Sequence, residues 1–352
     1  MAQTADSLSR IREIQHAVGL VRAGSYDVAG ICNLKCEGCL FFEGETFAQH
    51  SDDRSADEWN RLFAGEALRG INLAYMSGAE PSLVPDRIRM SQRHIPRGIV
   101  FTNGTHRIPD DIQYRIHIST WGIGKTTKAL RVADVLRKAL KNYSEDPRAV
   151  FVFTITALNM DDIVPMTRLA RDHGVPLTFS YFSPTTLYNA KSASSATVTS
   201  EYFRMGNSDQ TPVLTREDYA MAREKILEAM QLFPGTIEYS LAYDAWVTQD
   251  ELYEINPETG VATNCGVLQT GQVHHSIDHS TDGKCCSPNI DCAGCRAYSM
   301  ANTTFFARLR QMLRSEQGRC DWLEAREIWV RHFLPVGFMD THAAGKSGVD
   351  LG

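Results

Sequence analysis

Short apolar segments alternate with amphipathic helical segments over the first half of the chain. The helical pattern is clearest over 126–143 and 161–174, and Gly174 with Pro176 marks the end of the second segment. Strands are predicted at 25–31, 71–76, 97–102, 114–119, 149–158 and 175–182. Because such an alternation indicates parallel βα units, we predict an α/β fold built on a partial (β/α)6 TIM-like barrel. Functional groups are then expected at the carboxyl ends of the strands.

The rest of the chain is less regular. The segment 183–214 is rich in Ser, Thr, Asn and Gly and is predicted to be a long loop. A helix over 214–233, a strand over 236–243 and two helical stretches within 304–334 follow. We predict four regions: an N-terminal helix (1–24), the partial barrel (25–235), a small cysteine-rich domain (236–303) and C-terminal helices with a tail (304–352).

Composition narrows the possible classes of protein. The 352 residues are 43% hydrophobic and 22% charged, which is ordinary for a globular protein. A formal net charge of −6 argues against a nucleic-acid partner, which would call for a basic face. The chain has no run of about 18 apolar residues, so no membrane span is predicted. The first 20 residues lack the pattern of a secretory signal, and we expect a cytoplasmic protein.

The nine cysteines are unevenly distributed. Three lie within 32–39, six follow residue 264, and the 225 residues between Cys39 and Cys265 contain none. In a cytoplasmic protein, grouped cysteines are more often metal ligands or catalytic groups than disulfides. Two separate metal sites are therefore predicted.

The first group has the sequence CNLKCEGC, with the spacing CxxxCxxC. Three thiolates on one loop can bind three irons of a [4Fe–4S] cluster and leave the fourth iron open to a small chelating molecule. We predict that Cys32, Cys36 and Cys39 are these ligands, that Gly38 lets the loop turn, and that Lys35 adds positive charge. The alternative is zinc, which normally takes four ligands in two pairs.

This motif resembles that of the radical S-adenosylmethionine (SAM) superfamily, in which the same spacing occurs in a loop after the first barrel strand. The family usually has an aromatic residue before the third cysteine, whereas this chain has Gly38. The segment SGAEP resembles the family's GGE motif, which meets the amino group of SAM. The resemblance covers residues 25–182 and implies a SAM-binding [4Fe–4S] cluster. Its expected contacts to SAM are Ser77, Gly78, Ala79 and Glu80.

Three further strand ends match positions near the cofactor in the family. Asn103 lies in a Thr-Asn-Gly element, Ser119 is placed to contact the SAM ribose or carboxylate, and Trp121 is placed to line a substrate cavity. Asn159, after the fifth strand, is a weaker match. An ordinary turn is the alternative for the SGAEP segment, and a residue without a functional role is the alternative for these strand-end positions. The segment GIGKTT (122–127) resembles a phosphate-binding loop, but Ser119 stands where that pattern requires glycine. We expect a helix start there instead.

The second group resembles the twitch, or shortened SPASM, extension of radical SAM enzymes, which carries an auxiliary [4Fe–4S] cluster. Its CxxC pair can bind either zinc or one edge of a cluster. Neighbouring cysteines point in different directions, so only one of Cys285 and Cys286 is expected to ligate. The predicted ligands are Cys265, Cys285, Cys292 and Cys295.

Zinc is the rival at this second group, with His274, His275 or His279 as possible ligands. Each of these histidines is also explained as a surface or hydrogen-bonding group. Cys320 follows a helical stretch and has no partner close in sequence. It is either a structural residue or a distant ligand, as in full SPASM domains.

In mechanism, the resemblance implies that the reduced first cluster passes an electron to SAM. The cleavage produces methionine and a 5′-deoxyadenosyl radical, which abstracts hydrogen from the substrate. A reducing system such as flavodoxin or ferredoxin is implied. An auxiliary cluster with four protein ligands suits substrate oxidation, whereas an epimerase needs a thiol that returns a hydrogen atom. Cys286 and Cys320 are the candidate hydrogen donors.

The expected substrate is a small molecule, such as a natural product, sugar or aminocyclitol-like compound, that is oxidised, epimerised or rearranged. Peptide-modifying relatives often carry a leader-binding winged-helix module before the barrel, and the residues before 25 are too few to form one. A peptide-modifying maturase is the alternative enzyme. A non-catalytic zinc or iron–sulfur binding protein is the alternative of another class.

Overall fold

A parallel β-sheet organises the structure, which is a computed structural model. Its strands are β1 (Ala23–Asp27), β2 (Leu73–Ser77), β3 (Gly98–Thr102), β4 (Arg115–Thr120), β5 (Ala149–Ile155), β6 (Leu177–Tyr181), β7 (Val198–Thr199), β8 (Arg204–Met205) and β9 (His274–His275). Seven of them form one sheet in the order β6-β5-β4-β3-β2-β1-β9, with every pair parallel. The residues described are 2–42, 51–193, 198–199, 204–205, 211–281 and 290–339.

Helices connect the strands and form the C-terminal part of the chain. They are α1 (Ala2–Gly19), α2 (Ala56–Leu68), α3 (Pro85–His94), α4 (Gly124–Arg131), α5 (Val135–Tyr143), α6 (Ile163–Asp172), α7 (Thr186–Ala193), α8 (Arg216–Leu232), α9 (Leu241–Val247), α10 (Gly266–Thr270), α11 (Tyr298–Ala307), α12 (Leu309–Met312) and α13 (Glu316–Phe333). Strands β1 to β6 follow one another in chain order across the sheet. The predicted α/β fold with a partial (β/α)6 barrel is therefore confirmed.

The outer face of the sheet is fixed by helix packing, as α2 shows. Ser55 and Glu58 form a capping box that starts α2. Phe63 of α2 lies edge-on to Tyr26 of β1, with the ring centroids 5.3 Å apart. Because successive side chains of a strand point to opposite faces, Ser25 and Asp27 lie on the inner face.

The register of the strands shows which residues of the neighbouring strands share this inner face. Ser25 pairs with Tyr75 and Asp27 with Ser77, and the same face continues through Phe101 to His117. Aromatic side chains of the C-terminal helices fill its lower part. Phe333, the last residue of α13, has its ring 6.0 Å from that of Tyr75 and 4.8 Å from that of His117.

The predicted helix over 126–143 is wrong as a single element. It is two helices, α4 and α5, separated at Val132, which has a left-handed backbone conformation with φ of 61°. The Val132 amide donates to the Lys128 carbonyl oxygen at 2.9 Å, which closes α4. A β-branched residue is uncommon in this conformation, so the sequence does not signal the break.

The predicted strand over 236–243 is also wrong. Ile237 alone forms a parallel bridge, with Leu177 of β6, and the Ser240 side chain then caps α9. The predicted loop over 183–214 contains helix α7 and the antiparallel pair of β7 and β8 within its described residues. Polar composition does not separate a loop from a short covering helix.

One strand of the main sheet was not predicted. β9 pairs with β1 through His274 opposite Ser25 and His275 opposite Tyr26. Two residues are too few to show a hydrophobic period. The predicted cysteine-rich region thus contributes an edge strand to the barrel sheet, and the four domain limits stay predictions.

No described helix combines the length and hydropathy needed to cross a membrane.

Candidate functional site

The first cysteine group lies in the loop directly after β1. Cys32, Cys36 and Cys39 are each partly buried. The Leu34 amide points at the Cys32 thiol, with N and Sγ 3.4 Å apart. Gly38 turns the loop with a φ of +54°, which a side chain would rarely adopt. The turn returns Cys39 towards the other two thiols.

Electrostatics show that the three thiols are near neighbours. Burial raises the pKa of Cys39 to about 12, and the nearby Cys36 and Cys32 raise it further. Burial also raises the pKa of Cys32 to about 11, with Cys36 adding to the effect. Three thiolates in one partly buried loop therefore need positive charge to coexist.

This donor set fits a cluster with several irons. Among the described residues, no group of three His, Cys, Asp or Glu side chains is arranged to hold a single metal ion. In a [4Fe–4S] cluster, each thiolate binds a different iron, so the thiols stand farther apart than the ligands of one ion. Three sulfur donors and adjoining N–H donors are the chemistry that such a cluster uses.

Arg131 brings a buried cation to this loop. Its Nε–H points at the Cys36 thiol, with N and Sγ 3.3 Å apart, and its Nη1 donates to the Ser119 carbonyl oxygen. The guanidinium lies 6.0 Å from the ring centroid of Trp121. Arg131 was not among the residues predicted from the sequence. The available signal was a cation at a core position of α4, where Thr127 and Leu130 are also buried.

Glu80 is held by protein donors. It is 1% exposed, and its Oε1 accepts hydrogen bonds from the Ser82 amide at 3.0 Å and the Thr102 hydroxyl at 2.6 Å. Its Oε2 accepts from the Asn103 amide at 2.8 Å. The carboxylate therefore ties the end of β2 to the end of β3. The predicted contact to the SAM ammonium remains a prediction, limited to the acceptor capacity left on these oxygens.

The SGAEP segment is fastened to the chain that leads into the cysteines. The Ala79 amide donates to the Ala29 carbonyl at 2.9 Å, and the Glu80 amide to the Ile31 carbonyl at 3.1 Å. Gly78 has a φ of +109°, and a Cβ there would lie 3.0 Å from the Ala29 carbonyl oxygen. Only glycine allows these two backbones to approach so closely.

Asn103 joins the third strand end to the same loop. Its Nδ2 donates to Asn33 Oδ1 at 2.9 Å and lies 3.9 Å from the Cys32 sulfur. Its Oδ1 accepts from the Thr105 amide and hydroxyl at 2.9 and 2.6 Å. Asn103 thus lies next to a cysteine and its side chain organises the loop, while its contact with the cofactor stays a prediction.

Ser119 and Trp121 lie together at the end of β4. Trp121 Nε1 donates to Ser119 Oγ at 3.1 Å. Trp121 belongs to a cluster around Phe42, Phe182 and other apolar residues that also includes Cys32 and Cys39. These contacts place an aromatic wall beside the cysteine loop.

Asn159 is occupied by the backbone at the end of β5. Its Oδ1 accepts from the Thr156 amide at 2.7 Å, and its Nδ2 donates to the Thr154 carbonyl at 2.8 Å. These bonds are those of a turn. Its predicted contact with the cofactor has no support from these bonds.

An aromatic ring from α7 covers Gly38. A Cβ on Gly38 would lie 2.8 Å from the Tyr188 ring and 3.1 Å from Phe182. The Tyr188 hydroxyl donates to Glu37 at 3.0 Å. Position 38 has no aromatic side chain of its own, and the Tyr188 ring, from a segment distant in sequence, lies against it instead. The spacing of residues in the sequence could not show that Tyr188 lies here.

A histidine–carboxylate pair lies on the inner face of the barrel. His274 of β9 has its Nε2 3.1 Å from Asp27 Oδ2 and its Nδ1 3.2 Å from Ser25 Oγ. The Ser77 hydroxyl donates to Asp27 Oδ1 at 3.3 Å. Asp27 and Ser77 are the last residues of neighbouring strands, so this polar group borders the same strand ends as the cysteine loop.

The second cysteine group is described at three of its predicted ligands. Cys265 precedes α10, and the Cys295 amide donates to the Cys292 carbonyl at 3.3 Å. Cys265 and Cys295 pack on an apolar cluster of Val267, Ile290 and Met300. Cys285 and Cys286, which carry the fourth predicted ligand and one predicted hydrogen donor, lie outside the described residues.

The hydroxyl of Tyr253 is buried beside this group and lacks a hydrogen bond of normal geometry within the described structure. Burial raises its pKa, the nearby Cys295 and Cys265 also raise it, and a weak interaction with the Thr304 side chain lowers it. A buried phenol without a well-formed hydrogen bond is costly. A cluster held by these cysteines would offer it sulfur acceptors, so the residues present fit an iron–sulfur group.

The segment carrying the CxxC pair is anchored to the barrel at the end of β6. The Arg296 amide donates to Ser183 Oγ at 2.9 Å, and Ile290 forms a bridge with Thr185. Arg296 Nη2 also donates to the Gln249 carbonyl at 2.6 Å. The second cysteine group is thus attached to the carboxyl edge of the sheet.

The three histidines of the zinc alternative have other neighbours. His274 faces Asp27, as described above. His275 Nε2 lies 3.3 Å from Glu66 Oε2, and the His279 ring lies 4.3 Å from that of Trp59. None of these three contacts involves a cysteine.

Cys320 is exposed on α13. It stands 13 residues before Phe333, the end of the helix that enters the barrel, which is about 20 Å along a helix axis. A hydrogen donor must lie within a shielded chamber beside the substrate. This position gives no support to the prediction that Cys320 returns hydrogen.

Comparison with known structures agrees with this fold. Streptococcus suis SuiB bound to S-adenosylmethionine aligns with a TM-score of 0.54 and 11% identity, over 76% of this chain and 60% of SuiB. A second SuiB structure aligns at 0.52 and 11%, over 79% and 64%. The structure of anSMEcpe with bound AdoMet aligns at 0.48 and 12%, over 92% and 94%.

The likeness to SuiB establishes the class of fold, which is the partial barrel implied by the radical SAM resemblance. The chain spans 60 to 64% of the SuiB chains. Neither a protein-family model nor a curated protein sequence matches this chain.

Proposed function

We propose that this protein is a radical SAM enzyme. The observation that carries the proposal is the meeting of three thiols and a buried guanidinium at the carboxyl edge of the partial barrel, with Arg131 Nε 3.3 Å from Cys36 Sγ. Its fold is shared with SuiB, a structure of which holds S-adenosylmethionine. The arrangement supports a cluster that is ligated on one side and open on the other.

Cys32, Cys36 and Cys39 would hold the first [4Fe–4S] cluster. When bound and reduced, this cluster supplies the electron that splits SAM into methionine and a 5′-deoxyadenosyl radical. Arg131 supplies a cation for the SAM carboxylate, and backbone groups of the SGAEP segment are available to the ammonium. Trp121 and Phe182, whose rings lie 5.7 Å apart, shield the loop from water.

A second, auxiliary [4Fe–4S] cluster would be held by Cys265, Cys292, Cys295 and one of the adjacent pair Cys285 and Cys286. The Tyr253 hydroxyl, which lacks a well-formed hydrogen bond, and the apolar packing of Cys265 and Cys295 support this assignment. Four protein ligands leave no iron open, so these residues would hold a group that exchanges electrons rather than ligands.

We propose a small polar molecule as the substrate, oxidised, epimerised or rearranged after loss of a hydrogen atom. The support is the chemistry at the carboxyl ends of the strands, where Trp121 and Phe182 are apolar and Asp27 with His274 offers hydrogen-bonding groups. Asp27 retains 17% exposure of its side chain, which leaves it accessible to a substrate hydroxyl or amine. Peptide modification is the alternative enzyme function.

The test is anaerobic reconstitution with iron and sulfide, followed by reduction with dithionite in the presence of SAM. The enzyme is expected to hold about eight irons and to form methionine and 5′-deoxyadenosine, measured by mass spectrometry. A variant with Cys32, Cys36 and Cys39 all changed to Ala is the control and should form neither product. Stoichiometric zinc with intact SAM would support the non-catalytic metal protein instead.

A further inference from the structure

Helices α4 and α5 carry a concentration of positive charge. Four of the nine lysines of the chain lie between residues 125 and 141, although its net charge is −6. Residues 124–143 contain six Lys or Arg and a single Asp. We call the exposed members of this set the basic face: Lys125, Lys128, Arg137, Lys138 and Lys141.

This charge is largely uncompensated. In the described part of the chain, the ion pairs of the basic face are limited to Arg137 with Asp134, at 3.8 Å. Both of those side chains are substantially exposed, so the pair is weak. Surface lysines are usually intermixed with carboxylates. The basic face therefore projects a positive potential in an acidic protein.

The basic face adjoins the first cysteine loop. The Glu37 amide of that loop donates to the Leu130 carbonyl of α4 at 2.8 Å. The next residue, Arg131, reaches the Cys36 thiol. Lys128 stands three residues before Arg131, a rise of about 5 Å along the helix axis. Lys125, Lys128 and Arg131 all lie on α4, so these two lysines and the residue that contacts the thiol belong to one helix.

The loop also exposes apolar side chains. Ile31, directly before Cys32, is 49% exposed, and Leu40, directly after Cys39, is 38% exposed. Weak redox complexes bury small interfaces, and complementary charge steers the partners together. Such a complex therefore needs a small apolar contact and a charged face. Ile31 and Leu40 offer the first, and the basic face offers the second.

We propose that the basic face is the docking surface for an acidic electron-donor protein of the flavodoxin or ferredoxin type. The proposal rests on the proposed function, because the electron is delivered to the cluster held by Cys32, Cys36 and Cys39. The donor loses one electron for each SAM that is cleaved. That electron breaks the bond between the sulfonium sulfur and the 5′ carbon of SAM.

The experiment compares two electron donors in the reconstituted enzyme, with SAM and without substrate. Reduced flavodoxin is the protein donor, dithionite is the small one, and 5′-deoxyadenosine is measured. The test variant is Lys125→Glu with Lys128→Glu. The matched control reverses two charges on α8, Arg216→Glu with Lys225→Glu, because α8 packs on α6 and makes no described contact with the cysteine loop.

At about 10 mM salt, where exposed charges are least screened, the test variant is expected to lose at least about tenfold of its flavodoxin-driven rate. Its dithionite-driven rate should equal that of the wild type, and the control variant should keep both rates. In the wild type, added salt should lower the flavodoxin-driven rate alone. This salt dependence needs no variant.

The outcomes separate the two proposals. A test variant with an undiminished flavodoxin-driven rate overturns the docking surface and leaves the proposed function standing. Equal losses with both donors would also overturn it, because the lysines would then act on the site itself. A fully iron-loaded wild type that cleaves no SAM with either donor removes the proposed function, and the docking surface with it.

Discussion

The two cysteine groups differ in what surrounds them. The first is bordered by N–H donors, since the Leu34 amide, Asn103 Nδ2 and Arg131 Nε all lie within 3.9 Å of a cysteine sulfur, and on another side by the aromatic cluster of Phe42 and Phe182. The second is bordered mainly by apolar residues, with Val267, Ile290 and Met300 packed around Cys265 and Cys295, and the Thr304 hydroxyl lies 4.0 Å from the Cys265 sulfur. Both groups are attached to the carboxyl edge of one sheet, so the contrast arises from local surroundings.

This difference indicates two kinds of chemistry. A shell of N–H donors and a buried cation stabilises negative charge on a cluster and can accept a charged cofactor. An apolar shell excludes water and further ligands, and the hydrophobic surroundings then set the potential of the group. This difference supports the proposal that the first group serves cofactor cleavage and the second electron exchange.

Removing one thiol from each group is the strongest test of this comparison. Cys36→Ala is expected to lose about four irons and all reductive cleavage of SAM, because the open-iron cluster cannot form. Cys292→Ala is expected to lose about four irons from the second group and to keep substrate-free cleavage. Iron content and 5′-deoxyadenosine formation are the measurements. Equal loss of cleavage in both variants would contradict the separation of roles.

Substitution of Glu80 tests whether the hydrogen bonds beside the first cysteine group are needed for the stability of the fold. Glu80→Ala leaves the Ser82 and Asn103 amides and the Thr102 hydroxyl without their acceptor. We expect a loss of about 3 kcal/mol in the free energy of unfolding, measured with urea. Glu80→Gln keeps the Oε1 acceptor and should lose less. An unchanged urea midpoint in Glu80→Ala would show that these hydrogen bonds are not needed for stability.

Arg131 tests the polar side of the comparison without removing a thiol. Arg131→Met should retain iron but bind SAM at least about tenfold more weakly, a change of about 1.4 kcal/mol. The spectrum of the second cluster should not change. Arg131→Lys keeps the charge and should recover part of the affinity. Unaltered SAM binding in Arg131→Met, measured by equilibrium dialysis, would contradict a role in holding the carboxylate.

Substitution of Tyr253 tests the surroundings of the second cysteine group, and its expected effect is the smallest of these predictions. Tyr253→Phe removes the buried hydroxyl beside Cys265 and Cys295 and leaves the ring. We expect the reduction potential of the second cluster to fall by less than about 59 mV, a tenfold change for one electron, because a hydrogen bond to sulfur favours the reduced form. The first cluster should keep its potential. Tyr188→Phe, which removes a hydroxyl of α7 that bonds to Glu37 of the other cysteine loop, is the control and should leave the second cluster unaltered.

Local patterns were enough to predict the barrel and its first cysteine loop. Each of the six predicted strands overlaps one of the strands β1 to β6, because a buried parallel strand is a short apolar run bounded by turn residues. The spacing of Cys32, Cys36 and Cys39 is confined to eight residues, so the chain itself brings these thiols to one loop.

Other features were missed because their partners are distant in sequence. Arg131 meets Cys36 across 95 residues, and Tyr188 bonds to Glu37 across 151. The strand at His274 exists because it pairs with β1, and two residues carry no period of their own. The left-handed Val132 was missed for the opposite reason, since its residue type argues against the conformation that it adopts.

The sequence by itself determined the alternation of strands and helices and the local grouping of cysteines, since both depend on neighbours within a few residues. Only the tertiary structure decided what surrounds each group of thiols. Hydrogen bonds and burial act between segments that folding brings together, and the same residue has different chemistry in a polar or an apolar enclosure. Glu80 shows this, because its hydrogen bonds to Thr102 and Asn103 tie two strand ends together, which the sequence did not indicate.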